Sequence, residues 1–196
     1  ALILMHLNAD VAASAADSSP LEAGEQAPNP TVQTIDGKNV SLKTSLADQQ
    51  TILVFYRGGW CPYCNRHLSA LQEVRSEIKA FGWKMVAVSP DRPEELKKTL
   101  QGQELSYTLL SDSAMQAAKA FGVAFQVDAP TLQKLDSYGI DLEAASGKSH
   151  HLLPVPSVFL INADGKIVYA YTNPDYKERL SADVLLEKLK DASAER

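Results

Sequence analysis

The chain of 196 residues predicts an α/β fold, a central mixed β-sheet flanked by helices on both faces. Three observations carry that prediction. Apolar, β-branched runs alternate with segments of helical period along most of the chain. Glycine-marked turns, Asp36-Gly37 near the start and Asn162-Ala163-Asp164-Gly165 near the end, join runs that read as antiparallel hairpins. Between them the order strand, helix, strand implies a right-handed parallel crossover.

Residues 31–35 and 39–42 form the N-terminal hairpin and are expected to cover one sheet edge. Thr51-Ile52-Leu53-Val54-Phe55-Tyr56 reads as a buried strand, broken by Gly58-Gly59. Pro62 suits a first helical position, and Leu68, Leu71, Val74 and Ile78 recur at helical spacing, so a helix is expected to end near Ala80, before Gly82. Residues 83–88 make the next strand, stopped by Pro90. Pro93-Glu94-Glu95 opens a helix with acids at its start and Lys97 and Lys98 near its end, matching the helix dipole, and Gly102 closes it. A short strand at 107–110 follows, then Ser111-Asp112-Ser113 as the cap of a helix over 114–121, ended by Gly122.

From 123 to 153 the pattern loosens to one weak helix over 129–138 and a polar Gly-Lys-Ser-His-His tract. It reads as an insertion beside the active site, with a plain surface excursion as the competing reading. Residues 158–161 and 166–171 form the second hairpin, and 180–190 the last helix, with Ser181 as its cap.

With 45% hydrophobic and 22% charged residues, one globular domain over 31–192 is expected, large enough to bury about 70% of its unfolded surface. A net charge of −5 without a basic cluster argues against nucleic acid and anionic lipid as partners. Residues 1–7 are apolar but too short to span a bilayer, so no membrane span is expected in the mature chain. Ala13-Ser14-Ala15 has the small-x-small form of a cleavage site, so 1–15 read as a truncated signal peptide and place the protein in the periplasm or outside. An alanine-rich extension on a cytoplasmic protein is the competing reading. Residues 16–30, rich in Ala, Ser, Gly and Pro, read as a linker.

Both cysteines of the chain, Cys61 and Cys64, stand where the buried strand runs into a helix. On a first helical turn, free N–H groups and the positive end of the dipole stabilise thiolate. At i and i+3 the second sulfur can attack a mixed disulfide or sulfenic acid formed on the first. Three plainer readings compete. A structural disulfide would close so short a loop that it contributes only about 2 kcal/mol. A metal site would draw on His67, His150 or His151, but there is no second Cys-x-x-Cys. Two inert buried thiols would leave the spacing, the glycine break and the helix start as coincidence.

The segment VFYRGGWCPYCNRHLSAL, 54–71, resembles the active-site segment of the thioredoxin-like superfamily, and most closely the peroxiredoxin-like branch of the AhpC/TSA family with a Cys-x-x-Cys site. LLPVPSVFLINADGKIVYAY, 152–171, resembles the strand after that superfamily's cis-proline, and NPDYKERL, 173–180, the ending of the branch. The resemblance implies a thioredoxin-like fold with the insertion placed before the cis-Pro strand. It also implies a redox-active disulfide between Cys61 and Cys64, with no cofactor and no metal. The peroxiredoxin pattern Pro-x-x-x-Thr-x-x-Cys falls on Arg57, Cys61 and Cys64, which makes Cys64 the peroxidatic position. Arg57 replaces that proline, Cys61 the threonine, and Pro156 stands where the family carries an arginine. Helix geometry alone favours Cys61 as the lower-pKa thiol.

Arg57 beside the helix start is the cation expected to stabilise thiolate, with a plain surface role as the alternative. Trp60 and Tyr63 are docking surface or half-buried packing. A cis Val155-Pro156 bond is expected to bring Pro156 onto the cysteines and to leave the Val155 backbone free to pair with an extended substrate. At least one sulfur is expected to be partly accessible. The leading function is hydroperoxide reduction through the dithiol cycle, recycled by an external dithiol, thioredoxin-like or glutathione-like. The alternatives are an exported thiol:disulfide oxidoreductase acting on protein disulfides and a non-catalytic thioredoxin-like binding module.

Overall fold

The computed structural model describes residues 11–194. Most of the signal-peptide expectation therefore falls on residues 1–10, outside the described residues. Seven strands form the central sheet: β1 (Thr31–Gln33), β2 (Asn39–Ser41), β3 (Thr51–Phe55), β4 (Lys84–Ser89), β5 (Thr108–Ser111), β8 (Ser157–Ile161) and β9 (Ile167–Thr172). Their order is β2-β1-β5-β4-β3-β8-β9. β4 runs parallel to both β3 and β5, and the other pairs are antiparallel, so the sheet is mixed as expected. β2 lies at the edge, where the first hairpin was expected.

Each face of β3 serves a different core. Side chains alternate along a strand. Leu53 and Phe55 join one cluster with Phe121 and Phe159, while Ile52, Val54 and Tyr56 join the other with Cys61, Cys64, Leu68 and Leu185. A central strand covered on both faces must read as a continuous apolar run, as this one does. The second cluster is closed by α2 (Pro62–Glu73), α3 (Arg75–Ala80), α4 (Pro93–Gly102) and α8 (Ala182–Ala194). On the other face lie α1 (Leu42–Leu46) and α5 (Gln116–Ala120). The single helix expected up to Ala80 is two, because Val74 leaves helical geometry at φ −100° and ψ 15°. The helix expected over 114–121 is shorter, its N-cap position being Met115 rather than 111–113, although the Asp112 carboxylate accepts from Ala117 N–H at 2.9 Å and Ala118 N–H at 2.8 Å in the first turn of α5.

Residues 16–30 are laid onto the domain. Gly24 N–H donates to Ile167 O at 2.8 Å, Ile167 N–H to Glu25 O at 2.9 Å and Ala27 N–H to Gly165 O at 2.8 Å. Backbone polar groups next to an apolar surface need partners, and the start of β9 supplies them here. Small residues let the chain approach closely: a Cβ on Gly122 would collide with the Ser19 carbonyl.

The 123–153 stretch has more structure than the sequence suggested. It holds α6 (Ala129–Ser137), α7 (Leu142–Ser146) and a two-stranded sheet of β6 (Ala124–Gln126) and β7 (Leu152–Pro154). Val127, Leu135, Leu142 and Leu153 make a third small core, and Trp60 of the cysteine loop packs against it.

Candidate active site

In the sheet register Phe55, the last residue of β3, stands opposite Ser157, the first of β8. The loop after β3 and the segment before β8 therefore share one end of the sheet. Gly58 takes φ +151°, and Gly59 N–H donates to Asp91 Oδ2 at 2.7 Å while its carbonyl accepts from Asn65 Nδ2 at 2.7 Å. A side chain on Gly59 would collide with Thr99. The turn is thus built from residues without Cβ.

Cys61 is the N-cap of α2, with Pro62 at the first helical position, and its sulfur accepts from Cys64 N–H at 3.4 Å. Hydrogen bonding from the Cys64 thiol, then from the Cys64 N–H, and the charges of Arg57 and Arg179 pull the Cys61 pKa down to about 6 against the opposing effect of burial. Burial pushes the Cys64 thiol up, as does its proximity to Cys61, with Arg179 opposing. The electrostatics thus favour thiolate on Cys61 and a proton on Cys64, agreeing with helix geometry rather than with the peroxiredoxin register.

Both thiols are free, and they are 1% and 0% exposed, so the expected accessible sulfur is absent from this state. Residues 173–180 return to the start of α2 and explain the closure. The Tyr176 ring stacks on the Arg57 guanidinium at 4.2 Å and meets Tyr63 edge-on at 5.5 Å. Arg179 Nε donates to Tyr176 O at 2.7 Å, and Arg179 Nη2 donates to Cys64 Sγ at 3.3 Å. Buried His67 is tied to Leu180 O at 3.0 Å, and burial, with the Arg179 charge, lowers its pKa to about 4.

Arg57 is buried rather than superficial, and stacks on Trp60 at 5.1 Å as well as on Tyr176. Trp60 and Tyr63 are both half-buried. The Val155-Pro156 expectation fails: the described residues contain no cis peptide bond. Val155 is not free either, because its N–H donates to Val123 O at 2.8 Å and its carbonyl accepts from the Ser157 hydroxyl at 2.7 Å. Its side chain belongs to the core on the opposite face of the sheet from the cysteines. Val123 of the inserted segment and Ser157 of β8 have taken the backbone groups that a substrate was expected to pair with.

Arg179, Tyr176 and Asp91 were not singled out in the sequence. Nothing periodic marks them; only the resemblance of 173–180 to a family ending pointed to the segment that carries two of them. Asp91 follows β4, is 2% exposed, and burial raises its pKa to about 7 against the Gly59 hydrogen bond. The other histidines among the described residues are engaged elsewhere, His150 with Ser113 O at 2.7 Å and His151 with Glu143 at 2.8 Å. Among the described residues no group of three His, Cys, Asp or Glu is placed to hold a metal ion.

A paired, electrostatically biased dithiol at a strand-to-helix junction of this sheet defines a thioredoxin-like redox protein. The AhpC/TSA family model matches residues 23–170, and the chain belongs to that family. Peroxiredoxin Bcp of Escherichia coli strain K12 is 31% identical over 173 residues, covering 88% of this chain and 98% of that protein. The thiol-disulfide oxidoreductase ResA of Bacillus thuringiensis is 26% identical over 166 residues, covering 84% and 78%. Among solved structures, peroxidoxin BcpB from Mycobacterium tuberculosis shares the fold with a TM-score of 0.67 at 20% identity, covering 87% of this chain and 97% of that one. No helix among the described residues is long and apolar enough to cross a membrane.

Proposed function

We propose that this chain is a thiol-dependent peroxidase in which Cys61 attacks and Cys64 resolves. The Cys61 thiolate attacks one oxygen of a hydroperoxide, the O–O bond breaks, and the alkoxide or hydroxide leaves and takes up a proton. Cys61 becomes a sulfenic acid. The Cys64 sulfur then displaces its hydroxyl, forming the disulfide and releasing water. An external dithiol, thioredoxin-like or glutathione-like, reduces the pair by thiol–disulfide exchange.

The observation that carries the reading is the Cys61 sulfur capping α2, with the Cys64 N–H directed at it at 3.4 Å. Closure of the site favours a small oxidant over an extended protein disulfide, and the engaged Val155 backbone argues the same way. The Arg179 bond to Cys64 Sγ at 3.3 Å supports a second reading, with Cys64 attacking first as in the peroxiredoxin register. Sulfenic acid trapping after one equivalent of peroxide decides between them. Cys64→Ser is expected to give the trapped adduct and Cys61→Ser none; the reverse pattern transfers the attack to Cys64. Failure of both variants and of the parent to consume peroxide, with intact folding, leaves disulfide exchange or a binding role.

Export to the periplasm or beyond belongs to the same reading and rests on the sequence of residues 1–15 alone. Fractionation of cells expressing the chain tests it, a wholly cytoplasmic product counting against export.

A further inference from the structure

We propose that Arg57 and Arg179 together form a binding site for a small, hydrogen-bond-accepting monoanion, chloride or a carboxylate. The anion enters when Cys61 and Cys64 join as a disulfide and leaves when they are reduced. This rests on the dithiol cycle proposed above and goes beyond it by giving the oxidised state a ligand.

Both arginines combine positive charge with unmet hydrogen bonds. Arg57 is 7% exposed, and its Nε is a buried donor without a partner. Arg179 Nη1 is likewise buried and unpartnered, although its Nε and Nη2 are used. Among the described residues the ion pairs involve Arg92, Lys97, Lys98 and His151, and none involves either arginine. The two guanidiniums meet at one residue, Arg57 lying on the Tyr176 ring and Arg179 bonding its carbonyl. Aromatic faces offset part of a buried cation's desolvation but accept no second hydrogen bond in the plane of the guanidinium.

In the reduced protein the counter-ion is the thiolate, since both positive charges act on Cys61 and Arg179 also bonds Cys64. Oxidation removes it. One thiolate and one thiol become a disulfide with loss of two electrons and one proton, and the site becomes more positive by one unit. The buried guanidinium of Arg57 and the half-buried one of Arg179 are then left without an anion, each with a buried free N–H, and a buried charge without a partner is costly. A small anion meets both needs. By linkage, a ligand that prefers the oxidised state makes that state harder to reduce, and reduction must expel it.

The test is the midpoint potential of the full chain at pH 7 in dithiothreitol redox buffers, which carry no carboxylate. Ionic strength is held constant while sodium gluconate, too bulky for the site, is replaced by sodium chloride or by sodium acetate. With either small anion the equilibrium for reduction is expected to fall about tenfold, a shift of about 30 mV to more negative values. A shift with acetate alone supports the site as a carboxylate site. Arg57→Met and Arg179→Met are each expected to abolish the dependence. If Arg57→Met does not fold, Arg57→Lys, which keeps the charge and loses the planar fork, is expected to reduce it. A disulfide that forms normally with the same potential in all three salts overturns the inference, as does a salt dependence untouched in Arg179→Met. If no disulfide forms, it is the proposed dithiol cycle that fails.

Discussion

Arg179 and Cys64, 115 positions apart in the chain, are joined by a hydrogen bond of 3.3 Å from the guanidinium Nη2 to the sulfur. The strand register and α2 bring the cysteine to one end of the sheet, and the chain after β9 carries the arginine back to it. A guanidinium thus reaches the sulfur from a part of the chain remote from Pro156.

Removing that charge should weaken thiolate formation. Arg179→Met is expected to raise the pH midpoint of thiolate absorbance by about one unit, which from about 6 lowers the thiolate fraction at pH 7 and slows peroxide consumption there about twofold. An unchanged midpoint would leave Arg179 as packing only.

The lowered Cys61 pKa also predicts how the stability of the reduced protein varies with pH. An acid held near 6 in the folded chain against 9.0 ordinarily contributes stability that is present in full above 9 and is lost as pH falls through 6. The urea midpoint of the reduced parent should therefore fall relative to that of Cys61→Ser between pH 9 and 6. Parallel curves would mean that Cys61 is not ionised in the fold.

Asp91 gives the opposite slope. Its carboxyl rises from 3.8 to about 7 on folding, mainly by burial, so ionising it costs stability as pH increases across that window. Asp91→Asn keeps an acceptor for Gly59 N–H and should flatten the decline between pH 4 and 7. Asp91→Ala leaves that N–H without its partner and should cost about 1 to 3 kcal/mol in urea unfolding at pH 5.

The close approach at Gly59 can be tested by relief. A Cβ there collides with the Thr99 hydroxyl, so Gly59→Ala should cost about 1 to 3 kcal/mol through displacement of α4 or of the cysteine loop. Thr99→Ala in the same chain should recover most of the loss, as a thermal melt would show. Failure to recover would place the strain in the backbone instead.

Hydrophobic period and turn chemistry are local, and they determined a large part of this protein. The apolar run of β3, the glycines that end it, Pro62 at the head of α2 and the two glycine-marked hairpins give the strand order its signs and put the cysteines on a first helical turn. The break at Val74 escaped because α2 and α3 keep a common apolar face across it. What needed tertiary structure was everything settled by chain ends meeting across space. The backbone partners of residues 16–30 lie on β9, the Val155 N–H is claimed by Val123, and the cations at the thiols come from both ends of the domain. Those contacts have no period and no local signature, since burial of a lone arginine or aspartate depends on which distant groups close over it.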